Sequence, residues 1–474
     1  MSFARFPDGF LWGAATSAYQ IEGSPLANGA SASIQHRFAH TPGNTIDDSN
    51  GDIAADHFNR FRDDVALMAQ LGLGAYQFSV PWSRIIPDGH GAINHRALDF
   101  YDALVDELLA AGIAPVPVLY VWELPGAAQD RGGWANRDCA DWFAEFSTAA
   151  FARLADRATH WFTICEPQSV AHFGYVIGEL APCMRDLYAG MRAAHHLLLG
   201  QGKAVAAFRA SGATGEIGNY HALTDIVAAS DSEADAAAAE RANAYVNTLY
   251  LDAIVTGRYP DELAEWFGPT WPEVREGDLA TISEPLDFLG FSYYSHTVVA
   301  DATLPGDGAD RRVDDIGAAG PLDSGVERLM RIRALPPARP TTGLGWEIVP
   351  DGLTRQLRWV TERYGNPPIY IGEMGASFDD VVDPEGRVRD AERIAYNRDH
   401  ILAAHAALED GVDLRGLFLW SLMDTYEFNL GYTTRFGLIR VDYETQERIV
   451  KDSGYWYRDV MAANGLEVEQ RSDR

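Results

Sequence analysis

Trp161-Phe162-Thr163-Ile164-Cys165-Glu166-Pro167 is an apolar, β-rich run that ends in a glutamate and a proline. A second run of the same kind, Pro368-Ile369-Tyr370-Ile371-Gly372-Glu373, is followed by Met374-Gly375. Short apolar runs of this kind, bounded by turn-forming residues, are typical of buried strands. The two runs therefore predict two buried strands, each of which delivers a glutamate at its C-terminal end.

The rest of the chain repeats the same alternation of a short apolar run and a longer amphipathic one. The predicted strands are Gly9–Ala15, Ala75–Val80, Ala114–Val121, Trp161–Cys165, Glu216–Tyr220, Phe288–Tyr293, Pro368–Glu373 and Leu414–Ser421. Predicted helices between them include Ala54–Leu71, Arg96–Ala111, Cys139–Arg157, Leu187–Ser211, Glu233–Thr256, Pro350–Tyr364 and Asp390–Glu409. Strand and helix in repeated alternation predict an α/β protein, a single (β/α)8 TIM barrel with inserted loops on its C-terminal face.

We expect the catalytic barrel to occupy residues 1–465 and a polar tail to occupy residues 466–474. The stretch Val299–Arg339 is rich in Ala, Gly, Asp and Pro and predicts a long surface loop between the sixth and seventh strands. It is interpreted either as a lid over the site or as a solvated insertion.

The composition excludes several classes of partner. A net charge of −30 argues against binding to nucleic acid or to an anionic membrane. The 3 cysteines contain no CxxC pair, and the N-terminus lacks the apolar core of a signal peptide. We expect a soluble, cytoplasmic protein with a small-molecule partner; whether it forms a homo-oligomer is left open.

The two strand-end glutamates are the candidate catalytic pair. Glu166 ends the fourth predicted strand and Glu373 the seventh, on opposite walls of the barrel, so their side chains can meet across its mouth. Cleavage of a glycosidic bond requires two such carboxylates, one as proton donor and one as nucleophile or base. A glutamate embedded in an apolar strand is too close to the core to be ionised without partners or a function.

Three further motifs make the chain similar to glycoside hydrolase family 1, the β-glucosidase family. They are Phe10–Gly23, Trp420–Asp424 and Arg435–Leu438, and the resemblance extends from Phe6 to about Tyr457. The resemblance implies a (β/α)8 barrel, retention of anomeric configuration, and neither metal nor cofactor; the histidines show no metal-ligand spacing. It also implies roles for individual residues: Glu166 as acid/base, Glu373 as nucleophile, Tyr294 as support for the nucleophile, and Gln20, Trp122, Trp420 and Glu427 as sugar contacts.

Several positions that face the sugar depart from the family pattern. Gln77 stands where arginine is usual, Val121 where histidine is usual, Cys165, Ser292 and Met374 where asparagine is usual, and Phe428 where tryptophan is common. Gln77 brings no positive charge, so Glu373 should ionise less readily. By the resemblance, Val121 and Cys165 replace groups that hold the 3- and 2-hydroxyls. A plain glucoside would then bury unpaired hydroxyls, at about 1–3 kcal/mol each.

Three interpretations follow from these departures. The favoured one is a retaining β-glycosidase for a deoxy or otherwise modified glycone, because both glutamates, Tyr294, Gln20 and Glu427 are intact. The alternatives are a transglycosidase or degenerate sugar-binding relative, and an ordinary β-glucosidase with a compensated subsite. A thiol nucleophile at Cys165 is disfavoured, because a buried thiol is usually inert.

Overall fold

The computed structural model describes residues 2–303 and 325–468. Within them, eight parallel strands close into a barrel in the order of the chain, each hydrogen-bonded to the next. The barrel strands are β1 (Leu11–Ala15), β2 (Ala75–Ser79), β3 (Ala114–Tyr120), β4 (His160–Cys165), β5 (Glu216–Ala222), β6 (Leu289–Ser292), β7 (Ile369–Met374) and β8 (Leu414–Trp420). The predicted (β/α)8 barrel is confirmed.

A long helix follows every barrel strand. These helices are α1 (His57–Gln70), α2 (His95–Ala110), α3 (Asp138–Leu154), α4 (Leu187–Ser211), α5 (Glu233–Asn243), α6 (Pro350–Tyr364), α7 (Ala391–Glu409) and α8 (Asp452–Ala463). The helix predicted over Glu233–Thr256 is interrupted by a π-helical turn at Ala244–Thr248 and continues as Leu249–Thr256. Shorter helices are Ala18–Ile21, Ile34–Ala39, Trp82–Ile85, Gly126–Gln129, Asp261–Phe267 and Asp278–Ile282.

The sequences of the barrel strands are nearly continuous apolar runs because both faces of each strand are buried. Their outer faces pack against the helices, and their inner faces fill the barrel with large aromatic side chains, as is usual where both faces of a parallel sheet are covered. The interior includes Phe162, Tyr220, Phe288, Tyr370 and Phe418. The barrel is therefore a packed core, and a cavity lies beyond the C-terminal ends of its strands.

The prediction of a loop over Val299–Arg339 is wrong for much of the part that the structure describes. Residues up to Asp301 belong to the strand His296–Asp301, which pairs with Ile332–Ala334 on one side and with Asp225–Ala228 on the other. A helix spans Gly325–Met330. The apolar groups of these short elements are too few to show a period in the sequence, yet most of them are buried, among them Val326, Met330 and Ile332. Residues 304–324 lie outside the described residues.

The two ends of the described chain pair with each other. Ser2–Arg5 is antiparallel to Gly465–Val468, so the boundary predicted after residue 465 falls inside a strand. Residues 469–474 of the predicted tail lie outside the described residues. In the described ranges no helix has both the length and the apolarity that crossing a bilayer demands.

A buried group of charges joins α7 and α8 to the segment that follows β8. Lys451 is fully buried and donates to Asp424 at 2.7 Å and also to Asp380. Arg393 donates to both oxygens of Asp380 at 2.9 Å. Burial, and then Arg393, lower the pKa of Lys451. Because a buried ion is costly without its partners, this group fixes the position of the segment that carries Asp424 and, beyond it, Glu427.

Candidate active site

A cavity of about 300 Å³ opens at the C-terminal ends of the barrel strands. Nearly all the residues predicted for the site line it: Gln20, Val121, Trp122, Cys165, Glu166, Ser292, Tyr294, Glu373, Trp420, Glu427 and Phe428. Gln77 differs, since it is only 1% exposed and lies behind the wall. Residues far apart in the sequence thus meet in one cavity because their strands end at the same face.

Glu166 follows directly after β4 and is only 8% exposed. Its φ of +49° is left-handed, a conformation that costs free energy in a residue other than glycine. Two features hold the backbone of Glu166 in this conformation. Its backbone N–H donates to the Tyr220 carbonyl at 2.7 Å, and Pro167 starts a short helical turn. Ser292 Oγ donates to the Glu166 carboxylate at 2.5 Å.

The surroundings of Glu166 favour a neutral carboxyl group. Burial raises its pKa, while hydrogen bonds from Ser292 and Ser169 lower it in part. The net direction is upward, because loss of solvation opposes the charged form more than two hydroxyl donors support it. Glu166 is therefore suited to hold a proton and to give it up.

Glu373 lies within β7, beside Ser292 of β6 in the parallel register. Its Oε2 accepts a hydrogen bond from the Tyr294 hydroxyl at 2.6 Å, and Cys165 Sγ lies 4.0 Å from its Oε1. The Tyr220 hydroxyl also acts on the carboxylate and lowers its pKa. Glu373 is thus held by donors from three different strands or the loops that follow them.

The pKa of Glu373 is raised to about 8. Burial is the first cause and the negative charge of Glu166 the second, while Tyr294 and Tyr220 lower the pKa. The rise in the pKa of Glu373 agrees with the prediction that this residue ionises less readily beside the uncharged Gln77. Burial is nevertheless the leading cause. Each of the two carboxyl groups disfavours the ionised form of the other, so the pair tends to hold one proton between them. Protonation of Glu166 removes the second cause, and the two phenols then favour the ionised form of Glu373.

Tyr220 is the site residue that sequence reasoning missed. It lies in β5 and appeared there only as the last residue of a predicted strand. Gln77 Nε2 donates to its hydroxyl at 3.0 Å, so a predicted sugar-binding residue contacts a tyrosine behind the cavity wall. The signal available in the sequence was a hydroxyl-bearing aromatic at the C-terminal end of a barrel strand, the position where such barrels place functional groups.

Aromatic side chains form one wall of the cavity. Trp122 stacks on Phe428 with ring centroids 5.3 Å apart and 19° between the planes. The Trp122 Nε1–H donates to the Cys165 carbonyl at 3.2 Å. Trp420, at the end of β8, is buried beside the same space. Flat apolar faces of this kind suit the C–H face of a pyranose ring.

Glu427 and Gln20 supply polar groups to the same cavity. Burial is the first cause that raises the pKa of Glu427 to about 7, against hydrogen bonds from Thr425, Trp420 and Gln20. The Gln20 Oε1 accepts from Ser17 Oγ at 2.6 Å, which fixes the orientation of the amide. A carboxylate and an oriented amide can together accept from and donate to neighbouring hydroxyls.

The outer part of the cavity is largely apolar. Its wall includes Phe173, Leu180, Leu223, Val298, Leu335 and Leu344. Ala334, Leu335 and Pro337 come from the stretch predicted as a loop, so the described part of that stretch forms wall. Whether residues 299–339 act as a lid stays a prediction. At the rim, His296 pairs with Glu347, which also accepts the Arg339 backbone N–H at 2.6 Å.

One group of potential metal ligands lies outside the cavity lining. The ligand atoms of His36, His40 and Asp52 all lie within 4.8 Å of one another. The expectation that no histidines have metal-ligand spacing is therefore wrong for this pair, which is separated by one helical turn. His40 and Asp52 are exposed, and the group contributes nothing to the cavity.

Comparison with known proteins agrees with this geometry. The model of glycosyl hydrolase family 1 matches residues 2–466. Beta-glucosidase A of Thermotoga maritima is 45% identical over 98% of this chain and 100% of its own length. A bifunctional beta-D-glucosidase/beta-D-fucosidase of Bifidobacterium breve is 39% identical over 96% of this chain and 98% of its own.

A solved structure of the Thermotoga maritima beta-glucosidase in complex with deoxynojirimycin superimposes with a TM-score of 0.90. It is 44% identical and covers 98% of this chain and 100% of its own. A match over almost the whole length, together with the assembled carboxylate site, decides the family. The chain belongs to glycosyl hydrolase family 1 and is a glycoside hydrolase that acts on O-glycosyl bonds.

Proposed function

We propose that the protein is a retaining β-glycosidase in which Glu373 is the nucleophile and Glu166 the acid/base, acting on a deoxy or otherwise modified glycone. The observation that carries the proposal is the unequal support of the two buried carboxylates. Glu166 accepts hydroxyl donors only from serines, whereas Glu373 is held by two phenols. When Glu166 holds the shared proton, the second cause of the raised pKa of Glu373 is removed, and the two phenols then support a charge on Glu373.

The reaction proceeds by two displacements. A Glu373 oxygen attacks the anomeric carbon while the bond from that carbon to the leaving oxygen breaks and Glu166 transfers its proton to the leaving oxygen. The sugar is then bound covalently to Glu373. Glu166, now ionised, removes a proton from water as the water oxygen attacks the anomeric carbon. The sugar is released with its configuration retained, and both glutamates return to their starting states.

Gln20, Trp122, Trp420 and Glu427 are proposed to hold the sugar. The two tryptophans line the cavity and present apolar faces, and Glu427 and Gln20 present hydrogen-bonding groups. Phe428 supports the wall by stacking on Trp122. Removing one of these polar contacts from a bound hydroxyl costs about 1–3 kcal/mol.

The altered glycone is proposed from three cavity-lining residues. Val121 has no hydrogen-bonding side chain, and the Cys165 thiol is a weak donor that lies against Glu373. The Ser292 hydroxyl donates its proton to Glu166, which leaves only its lone pairs for a substrate. This wall therefore offers few donors to hydroxyls. A sugar that lacks one of those hydroxyls therefore loses fewer hydrogen bonds to water, when it enters the cavity, than glucose does.

The names of the relatives favour a second candidate, an ordinary β-glucosidase. One relative is named for both β-glucosidase and β-fucosidase activity. D-Fucose is a 6-deoxy sugar, so this double name also allows a deoxy glycone. A binding-only relative is not favoured, because it would need neither the serine donors on Glu166 nor the phenol donors on Glu373.

Rates on matched aryl β-glycosides test the proposal: glucoside, 2-deoxyglucoside, 3-deoxyglucoside and fucoside. We expect a higher kcat/KM on at least one deoxy glycoside than on the glucoside. A kcat/KM on the glucoside that exceeds all the others would contradict the altered glycone. Glu373→Gln should abolish turnover of the best substrate, with Glu362→Gln on the exposed face of α6 as the control. Normal turnover by Glu373→Gln would contradict the assignment of the nucleophile.

A further inference from the structure

We propose that Tyr220 is a positioning residue for the nucleophile, that Gln77 directs its hydroxyl proton toward Glu373, and that Gly372 makes room for its ring. This inference rests on the proposed function, in which Glu373 attacks the sugar. The three residues lie on three barrel strands, Gln77 on β2, Tyr220 on β5 and Gly372 on β7, and act together on Glu373.

The hydrogen bonds around the Tyr220 oxygen have a fixed direction. The phenol carries one proton and can also accept. Gln77 Nε2 has only protons to offer, and it donates to the phenol oxygen at 3.0 Å. The single phenol proton is then left to point toward the Glu373 carboxylate, whose pKa this hydroxyl lowers. Donation therefore runs from Gln77 through Tyr220 to Glu373.

The space for the Tyr220 ring depends on Gly372. A Cβ atom at position 372 would lie 2.8 Å from the ring Cζ and 3.1 Å from the hydroxyl oxygen. These distances are shorter than ordinary contacts, and the ring is fully buried in the barrel, so a Cβ at position 372 would force the ring out of its place. Glycine inside a strand weakens that strand and usually marks a close approach. Here the close approach brings the phenol beside the carboxylate of the next residue, Glu373.

Tyr220 also contacts the other glutamate through its backbone. Its carbonyl accepts the Glu166 N–H at 2.7 Å, which helps to hold Glu166 in its left-handed conformation. In the register of β4 and β5, Tyr220 lies opposite Cys165. One residue thus orients both carboxylates: Glu166 through the main chain and Glu373 through the side chain.

The electrostatic surroundings explain why a second phenol matters. The strongest charges that act on Glu373 are those of Glu166 and Glu427, and both disfavour its ionised form. The Tyr294 hydroxyl donates to the carboxylate, the Tyr220 hydroxyl lowers its pKa, and the Cys165 thiol lies near it. A hydrogen bond to the charged form favours that form, so each phenol makes the nucleophile more available. Gln77 contributes no charge, but it fixes the direction of one phenol.

Tyr220→Phe tests the inference, because it keeps the ring and removes the hydroxyl. We expect kcat/KM on the best aryl glycoside to fall about 10- to 150-fold, as for the loss of one hydrogen bond to a charged group. The pKa of Glu373 should rise without this donor, so the acid limb of the kcat/KM profile should move to higher pH. The control is Tyr457→Phe, which removes a buried hydroxyl bonded to the Gly13 carbonyl at 2.9 Å, and should change neither quantity.

An unchanged acid limb in Tyr220→Phe would overturn the inference, even if activity fell, because loss of packing alone does not alter ionisation of the nucleophile. Failure of the proposed function gives a different result: there Glu373→Gln keeps its activity. If Glu373→Gln is inactive and Tyr220→Phe behaves as wild type, only the present inference fails.

A double-mutant cycle tests the role of Gly372. Gly372→Ala should lower kcat/KM sharply when Tyr220 is present, because the new Cβ displaces the ring. In a Tyr220→Leu background, the same change should have a much smaller further effect. Equal losses in the two backgrounds would show that Gly372 does not act through Tyr220 and would overturn that part of the inference.

Discussion

Replacing Cys165 with asparagine should raise kcat/KM on an aryl β-glucoside while leaving the matching 2-deoxyglucoside unchanged. Cys165 lines the cavity, is 3% exposed, and has its Sγ 4.0 Å from Glu373 Oε1. By the family resemblance, this position faces the 2-hydroxyl of the sugar. A thiol is a weak donor, whereas an asparagine amide has two N–H groups. One of these N–H groups can reach the 2-hydroxyl.

The size of the gain follows from one added hydrogen bond. Contacts to the 2-hydroxyl strengthen as the transition state forms, so the relevant value is that of a bond to a charged or charge-developing group. Such a bond contributes about 1.5–3 kcal/mol, which corresponds to about 10- to 150-fold in kcat/KM. The 2-deoxyglucoside has no hydroxyl to accept or donate at this position, so it gains nothing.

Steady-state kinetics on the two substrates measure the effect, and the ratio of the two kcat/KM values is the readout. Cys183→Asn is the matched control, because Cys183 lies outside the cavity lining and has a left-handed φ of +60°, which asparagine tolerates. An equal gain on both substrates, or no gain on the glucoside, would refute the reasoning that Cys165 leaves the 2-hydroxyl without a partner.

Other changes have equally definite outcomes. Ser292→Ala removes a donor to the Glu166 carboxylate and should raise the pKa of Glu166, so the alkaline limb of kcat/KM should move to higher pH. Ser147→Ala, which removes a buried hydroxyl bond within α3, should leave that limb in place; a shift equal to that of Ser292→Ala would contradict the reasoning. Lys451→Met removes a cation shared by two buried aspartates, which keep Arg393 and Arg435 as partners, and should lower the free energy of unfolding by about 3 kcal/mol in denaturant titration, the low end for a broken buried pair. A loss below about 1 kcal/mol would show that the aspartates are balanced by other groups.

Much of the fold was predictable from the sequence for a physical reason. Strands buried on both faces are apolar throughout, so β4 and β7 stand out as short runs between amphipathic stretches. The helix predicted over Pro350–Tyr364 has the observed bounds. The elements around Ile332–Ala334 could not be predicted, because a three-residue strand depends on its neighbours and leaves no period in the sequence.

The candidate site was predictable where its residues belong to recognisable sequence motifs. Glu166 and Glu373 were predicted from the strands that they end, and Tyr294 from the family resemblance, and the structure brings the three together. Tyr220 was not predicted, because a tyrosine in a barrel strand has the same sequence signature as a core aromatic. Its role appears only when its contact with Gln77 across the barrel is known.

The most direct test of the central claim is to trap the covalent intermediate and locate it by peptide mapping. An activated 2-deoxy-2-fluoro glycoside built on the best glycone from the rate comparison would be incubated with the protein, which would then be digested and analysed by mass spectrometry. We predict one sugar attached to Glu373, in the peptide that contains Ile371-Gly372-Glu373-Met374. A sugar attached to Glu166 or to Cys165 would contradict it.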